Sequence, residues 1–287
     1  MKVVMTLLVR DEEDILAANF DFHLLQGVDF FVVTDNLSAD GTRDIIAEYV
    51  RRGVAVCLRE SNDDYSQFRW VTKMARMAAS RYGADWVINN DADEFWAAKC
   101  THESVKEALE SIPPNVESLI VQRSNFVPVD EDGIGFFAER MTLCEREPRN
   151  SDGLPLPPKV CHRGFADIEV AQGNHGVRRA GVPLAAVPGP LRILHYPLRS
   201  YRQFENKIIK GGAAYARNTE LATDVGSTWR NLHKVWQRGG LRTRYIEMML
   251  SAEAIASRLE CGDLFYDQTV LNALRSPECA SLGGEAF

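Results

Sequence analysis

Two aspartates one residue apart, Asp91 and Asp93, close the apolar run from Trp86 to Asn90 and open the cluster Asp91-Ala92-Asp93-Glu94. The run reads as a buried strand. On an extended chain residues i and i+2 point the same way, so both carboxylates can converge on one point past the strand end. Converging carboxylates repel each other unless a positive charge lies between them, and a hard divalent ion carrying a diphosphate meets that need. The bland alternative is an acidic turn after a strand, with no chemistry attached. The elements that come before the pair decide between the two.

Those elements alternate strand and helix. Residues 3–9 form a continuous apolar run, as in a parallel strand covered on both faces. Ile15, Ala18, Phe22 and Leu25 then recur at helical spacing over 11–26, and Gly27 stops the helix. Strands over 30–33, 54–58 and 86–90 alternate with helices marked by Ile45, Ile46, Tyr49 and Val50 and by Trp70, Met74, Met77 and Ala78. Four β-α units in succession predict a mostly parallel, doubly wound α/β sheet. Polar loops after its strands gather at their carboxyl ends, where ligands bind in open α/β folds. Residues 10–13, 35–36, 59–66 and 91–94 are therefore expected on one crevice.

After residue 112 the pattern changes. Pro113-Pro114 breaks the chain, 119–122 reads as another strand, and the proline-rich stretch 146–158 reads as an exposed loop. Short strands are expected within 159–177 and over 191–196. Helices are expected over 201–217, 228–238 and 241–259, and the last ten residues, with Gly283-Gly284, should fray. Composition bounds the function. The chain has 287 residues, 45% hydrophobic and 25% charged, with a net charge of −7, which opposes a general nucleic-acid binder. Six scattered cysteines, among them Cys57 and Cys100, form no C-x-x-C pair, so zinc and thiol-redox readings are weak. No run of about 18 apolar residues occurs to span a membrane. A cytoplasmic protein is the default expectation.

Three motifs in order, Arg10-Asp11-Glu12-Glu13-Asp14, Thr34-Asp35-Asn36 with Asp40-Gly41-Thr42, and Asn90-Asp91-Ala92-Asp93-Glu94-Phe95, resemble the family 2-like glycosyltransferases of the GT-A fold. The likeness is greatest to a bacterial subgroup with an R-D-E first loop and a D-x-D-E-F signature. Gly173-Asn174-His175, His195-Tyr196-Pro197, Ser200, Phe204, Lys207 and Gly211-Gly212 extend it. The resemblance implies a GT-A domain over 1–217 with a nucleotide-binding, Rossmann-like N-terminal half, and a helical extension over 218–287 packed on it.

It also implies transfer of a sugar from a nucleotide-diphosphate sugar, a UDP-sugar by fold precedent, to an acceptor hydroxyl with inversion. The acceptor would be a cell-surface glycan, or a soluble small-molecule or peptide natural product, with peripheral membrane association open. Mn²⁺ or Mg²⁺ would neutralise the departing diphosphate as a Lewis acid. Asp93 is then the first metal ligand, Asp91 a second or a ribose contact, and His195 a third, a set that suits Mn²⁺. Thr6, Arg10 and Asp35 are placed at the base or ribose, and Lys207 with Arg199 and Arg202 at the diphosphate. An inverting transfer needs a general base. His175 takes that role, with Asp167 and Glu169 as alternatives.

Simpler roles compete. Asp40-Gly41-Thr42 suits a turn and helix cap, residues 11–14 a charged first helical turn, His195 a core histidine, and Lys207 with Lys210 a solvated helix face. A metal-dependent phosphatase of the haloacid dehalogenase type would carry its aspartates after the first strand, not the fourth. A nucleotidyl transferase needs a glycine- and lysine-rich first loop, and a dehydrogenase needs G-x-G-x-x-G, whereas this loop is acidic. A catalytically silent sugar-nucleotide-binding module is the remaining alternative.

Overall fold

The computed structural model describes residues 1–64, 66–99, 101–128, 130, 132–149, 153–222 and 225–282. Cys100, Asn150, Ser151 and Gly283-Gly284 lie outside the described residues, and with them the expected fraying of the end. Strands Val3–Val9 (β1), Phe30–Asn36 (β2), Ala55–Glu60 (β3) and Trp86–Asp91 (β4) alternate with helices Leu16–Leu25 (α1), Thr42–Arg51 (α2) and Gln67–Ser80 (α3). The four strands are parallel neighbours in the order β3-β2-β1-β4. Apolar clusters cover the sheet on both faces, one containing Met5, Phe20, Phe31 and Trp96, the other Val4, Val32, Met74 and Val87. Burial on both sides is why these strands read as unbroken apolar runs.

The chain next forms Glu94–Ala98 (β5), Val105–Glu110 (α4), Ser118–Val121 (β6), Arg123–Asn125 (β7), Phe137–Arg140 (α5), Leu143–Glu145 (β8) and Lys159–Arg163 (β9). β9 inserts antiparallel between β4 and β6, so the sheet is mixed, with its parallel half on the β1 side. Ile168–Val170 (β10), Val177–Arg179 (β11) and Val182–Pro183 (β12) make a small separate sheet, and Ala186–Pro188 (β13) borders β6. Leu191–His195 (β14) then pairs antiparallel with β5 and parallel with β7. This pairing sets His195 against Glu94 and Asn125, at the mouth of the turn that follows β4.

The rest is mostly helical: Tyr201–Arg217 (α6), Ser227–Gln237 (α7), Leu241–Met248 (α8), Ala252–Glu260 (α9), a strand Leu264–Tyr266 (β15) paired with β8, Thr269–Leu274 (α10) and Pro277–Ser281 (α11). The single helix expected over 241–259 is two, because the Ser251 side chain accepts from the Ala254 amide and starts a new helix there. Phe204 and Ile208 of α6 share a core with Leu232, Leu241 and Tyr245, while α10 and α11 return to α1. No helix among the described residues is long and apolar enough to cross a membrane.

α1 begins at Leu16, not at Asp11, because the preceding acidic residues are bound elsewhere. Arg199, fully buried just before α6, donates to Glu12 Oε2 at 2.6 Å and to both Asp14 oxygens at 2.7 and 2.9 Å. Paired buried charges are lost together, since removing one strands the other in a poor solvent. Arg199→Met should therefore destabilise the protein by roughly 3–5 kcal/mol, read as a lower urea midpoint. An unchanged midpoint would mean that α6 is held by its apolar contacts alone.

Candidate functional site

A cavity of about 940 Å³ opens at the carboxyl ends of β1 and β4, beneath α6 and α7. Arg10, Asp11, Glu12, Asn36, Asp91 and Asp93 line it from the sheet side. Lys159, His175, His195, Lys207 and Lys210 line it from later segments. The crevice expected from the loop positions is present, with one exception. The loop after β3 does not line it; its Asp63 instead clamps Arg10 at 2.5 Å and Arg217, closing the rim.

Asp93 is the centre of the charged half. It is 3% exposed, with Oδ2 2.5 Å from Lys207 Nζ and Oδ1 3.5 Å from His195 Nε2. Burial alone would raise its pKa, but the Lys207 ammonium, His195 and Arg199 outweigh that and hold it well below the usual carboxylate range. Burial likewise opposes the charge on Lys207, yet Asp93 and Glu12 raise its pKa. Glu12 fares differently. Its burial exceeds the help of Arg199 and Lys207 and pushes it up to about 7, so it takes up a proton near neutrality.

His195 is oriented by its neighbour strand. Nδ1 donates to Asn125 Oδ1 at 2.7 Å, which leaves the Nε2 lone pair facing the Asp93 carboxylate. A lone pair facing a carboxylate oxygen at 3.5 Å calls for a cation between them, either a proton or a metal ion. Two cis ligands of an octahedral Mg²⁺ at about 2.1 Å stand roughly 3 Å apart. Asp93 and His195 therefore fit as the protein's share of a divalent-cation site.

Asp91 does not join them. The chain turns at Ala92-Asp93 between β4 and β5, so the two-residue alternation of a strand no longer applies and the carboxylates diverge. Asp91 Oδ2 lies 2.5 Å from Lys159 Nζ, and Oδ1 accepts from Gln67 and Asn174 at 3.4 Å each. Lys159, 2% exposed, also reaches Glu94 at 3.2 Å, and Arg123 reaches Glu94 at 3.2 Å. Among the described residues no group of three or more His, Cys, Asp or Glu is placed to hold a metal. The expected trio of Asp91, Asp93 and His195 is reduced to a pair.

Other expected contacts are redistributed. Thr6 is mid-strand, 1% exposed, and donates to Asn89 Oδ1 at 2.9 Å across the β1–β4 pair, so it is sheet interior and not cavity wall. Asp35 is 2% exposed and accepts from the Ser38 amide at 3.1 Å and from Arg43 Nε at 2.8 Å; its neighbour Asn36 reaches the cavity instead. Arg199 serves the α6 anchor, and Arg202 is exposed away from the lining residues. Asp167 and Glu169 pair with Arg179 and Arg76 beside the small sheet, outside the cavity. Lys207 and Lys210 do not form a solvated face, since Lys210 is bound to Asp11.

His175 does line the cavity. Its Nδ1 donates to the Pro158 carbonyl at 2.8 Å, which leaves Nε2 as the proton acceptor. The ring has an exposed edge, but the cavity wall desolvates the rest. That desolvation, followed by the Lys159 charge, lowers its pKa to about 4. The preceding residues are bent to present it. Gly173 has φ +74°, and a Cβ there would meet the His175 ring at 2.6 Å; Asn174 has φ +62°. Such conformations are uncommon and gather at functional sites.

Lys159, Arg123 and Asn125 had no sequence signal: a lysine opening an apolar strand reads as exposed. Trp229 lines the cavity too.

The glycosyltransferase family 92 model matches residues 3–142, just under half of the chain. A probable inorganic carbon transporter subunit DabA of Xanthomonas oryzae pv. oryzae is 31% identical over 88 residues, which are 31% of this chain and 11% of that protein. The chain thus spans about a tenth of the length of the curated relatives it matches. S. aureus TarS crystallised with UDP is 13% identical, with 98% of this chain and 83% of that one covered and a TM-score of 0.38. The TarS complex with UDP-GlcNAc is 12% identical over 98% and 84%, with a TM-score of 0.42. Likeness at these scores carries no argument about ligands. The family match over the segment that builds β1 to β8's approach makes this chain an enzyme, a glycosyltransferase.

Proposed function

We propose that this enzyme moves a sugar from a nucleotide-diphosphate sugar, UDP-linked by preference, to an acceptor hydroxyl with inversion, in the cytoplasm. The observation that carries this reading is Asp93, held ionised between His195 Nε2 and Lys207 Nζ on the cavity at the strand ends. The family 2-like signature is part of the reading, with Arg10-Asp11-Glu12 and Asp91 to Phe95 as its donor side. Asp93 and His195 would hold Mn²⁺ or Mg²⁺, which when bound supplies Lewis-acid neutralisation of the leaving diphosphate.

The chain's own groups do the rest. Lys207 can turn from Asp93 to a diphosphate oxygen, keeping an opposite charge in reach throughout. Glu12, protonated near pH 7, relieves the carboxylate excess at the same time. Arg10 and Asn36, at the ends of β1 and β2, face the nucleoside end. His175 accepts the acceptor hydroxyl proton at Nε2 as the oxygen attacks the anomeric carbon and the bond to the diphosphate oxygen breaks. Lys159 neutralises Asp91, which leaves that carboxylate a positioning contact for Asn174, next to His175.

Thermal unfolding with UDP, GDP, CDP, TDP or ADP, each with and without Mn²⁺, tests the reading. A ligand at 100 times its Kd adds about 2.7 kcal/mol. A melting shift that needs both one nucleotide and the metal is expected, and none with any of the five would overturn the proposal. Asp93→Asn should abolish the metal-dependent part of the shift and His195→Ala should weaken it at least tenfold in metal affinity. Asp91→Asn should leave the metal affinity within a fewfold; an equal loss in Asp91→Asn would return Asp91 to the metal.

For the base, the sign follows from a lowered pKa. His175 is neutral and competent above about pH 5 and is lost by protonation as the pH falls through about 4. The acid limb of kcat/KM should fall there, and His175→Ala should remove it while keeping nucleotide binding. An acid limb near the ordinary histidine value of about 6.5 would assign the base elsewhere.

A further inference from the structure

The cavity has a second half that the donor does not explain. Opposite the charged strand ends, its wall is built by α6, α7 and α8: Ile208, Gly211, Trp229, Leu232 and Met248, with Ser227, Thr228, Arg244 and Glu247 around them. Among the described residues, Trp229 is the one tryptophan on the cavity. Trp86 and Trp96 are fully buried in the sheet core, and Trp70 and Trp236 lie off the lining.

Trp229 is seated by an absence of side chain. Lys207, Gly211 and Tyr215 follow one another at i, i+4 and i+8 along α6, and so share a face. A Cβ on Gly211 would stand 2.7 Å from the Trp229 ring, and one on Gly212 2.4 Å from His233 Cβ. The glycine pair lets α7 lie against α6 and lays the indole on the stripe. One end of the ring approaches Lys207, whose ammonium is 5.9 Å from the ring centroid; at the other is Tyr215, 6.4 Å between ring centroids. Lys207 in turn touches Asp93. The indole therefore lies one residue length from the charge centre, on the side away from Arg10 and Asn36.

We propose that Trp229, seated on Gly211, is the platform of the acceptor subsite and that the acceptor is a carbohydrate. This rests on the glycosyl-transfer reading above. A pyranose presents an apolar face of C–H bonds and a polar rim of hydroxyls. A partly exposed indole set among Ser227, Thr228, Arg244 and Glu247 matches both parts. An alkyl chain would leave that polar rim without partners, and a nucleobase belongs with the strand ends at the far side of the diphosphate. Trp229 is a positioning residue that sets the ring on which the attacking hydroxyl sits.

Saturation-transfer NMR on the full chain with methyl glycosides and di- to tetrasaccharides, in the presence of UDP and Mn²⁺, tests this directly. At least one glycan should receive saturation on its C–H protons. Trp229→Ala should abolish that transfer, Trp229→Phe should keep it, and Gly211→Ala should weaken it by displacing the indole. UDP affinity, read by the melting shift, should stay within about twofold in Trp229→Ala and Trp229→Phe. No saturation of any glycan, or undiminished saturation in Trp229→Ala, overturns the carbohydrate platform while leaving donor binding to stand. Loss of UDP binding in a folded Trp229→Ala gives the ring to the donor and overturns it too. Absence of UDP binding in the unaltered chain would instead count against the transfer reading itself.

Discussion

Buried carboxylates stay ionised only where cations are brought to them, and much of this protein is arranged around that need. Glu12, Asp93 and Glu94 are buried at the ends of β1 and β4, with Asp11 and Asp91 beside them. Their partners arrive from far along the chain: Lys159 on β9, Arg199 before α6, and Lys207 and Lys210 on α6. The parallel sheet supplies the acids and the later segments supply the bases. Each ion pair across the cavity is therefore also a tertiary tie.

The same balance makes the cavity responsive to an anionic ligand. Lys207 is committed to Asp93 but has a second carboxylate, Glu12, 3.8 Å away, and Glu12 is itself near its point of protonation. A group that brings negative charge can draw on both. Lys159 has no such freedom, being enclosed by Asp91 and Glu94 with Arg123 behind them. The two lysines look equivalent in the sequence, yet one can be released and the other is structural.

Backbone geometry is used where the chain has to aim a side chain. Asp11 sits at φ +54° so that its carboxylate can accept from the Ala39 amide and meet Lys210, and the Gly173-Asn174 bend turns His175 toward the cavity. Gly211 works by omission, letting an indole approach a helix more closely than any other residue would allow. Acid–base groups gather on one side of the cavity and aromatic and apolar ones on the other, which are the demands of a charged donor and a carbohydrate acceptor.

The order and extent of the first four β-α units were legible in the sequence, since apolar periodicity and glycine stops are local signals. The neighbourhood of Asp93, His195 and Lys207 was legible only through resemblance, because nothing local links residues 93, 195 and 207. Several single residues were misplaced for physical reasons. Thr6 and Asp35 look free at strand ends but are consumed by Asn89 and by Ser38 and Arg43. Asp91 and Asp93 look convergent until the chain turns between them, and Arg199 looks like a phosphate ligand until α6 buries it. The sequence by itself determined which segments are strands and helices and which residue types could bind an anion or a cation. Which charge meets which was decided only by tertiary structure, because an ion pair depends on distance in space, and here its partners lie up to about 190 residues apart.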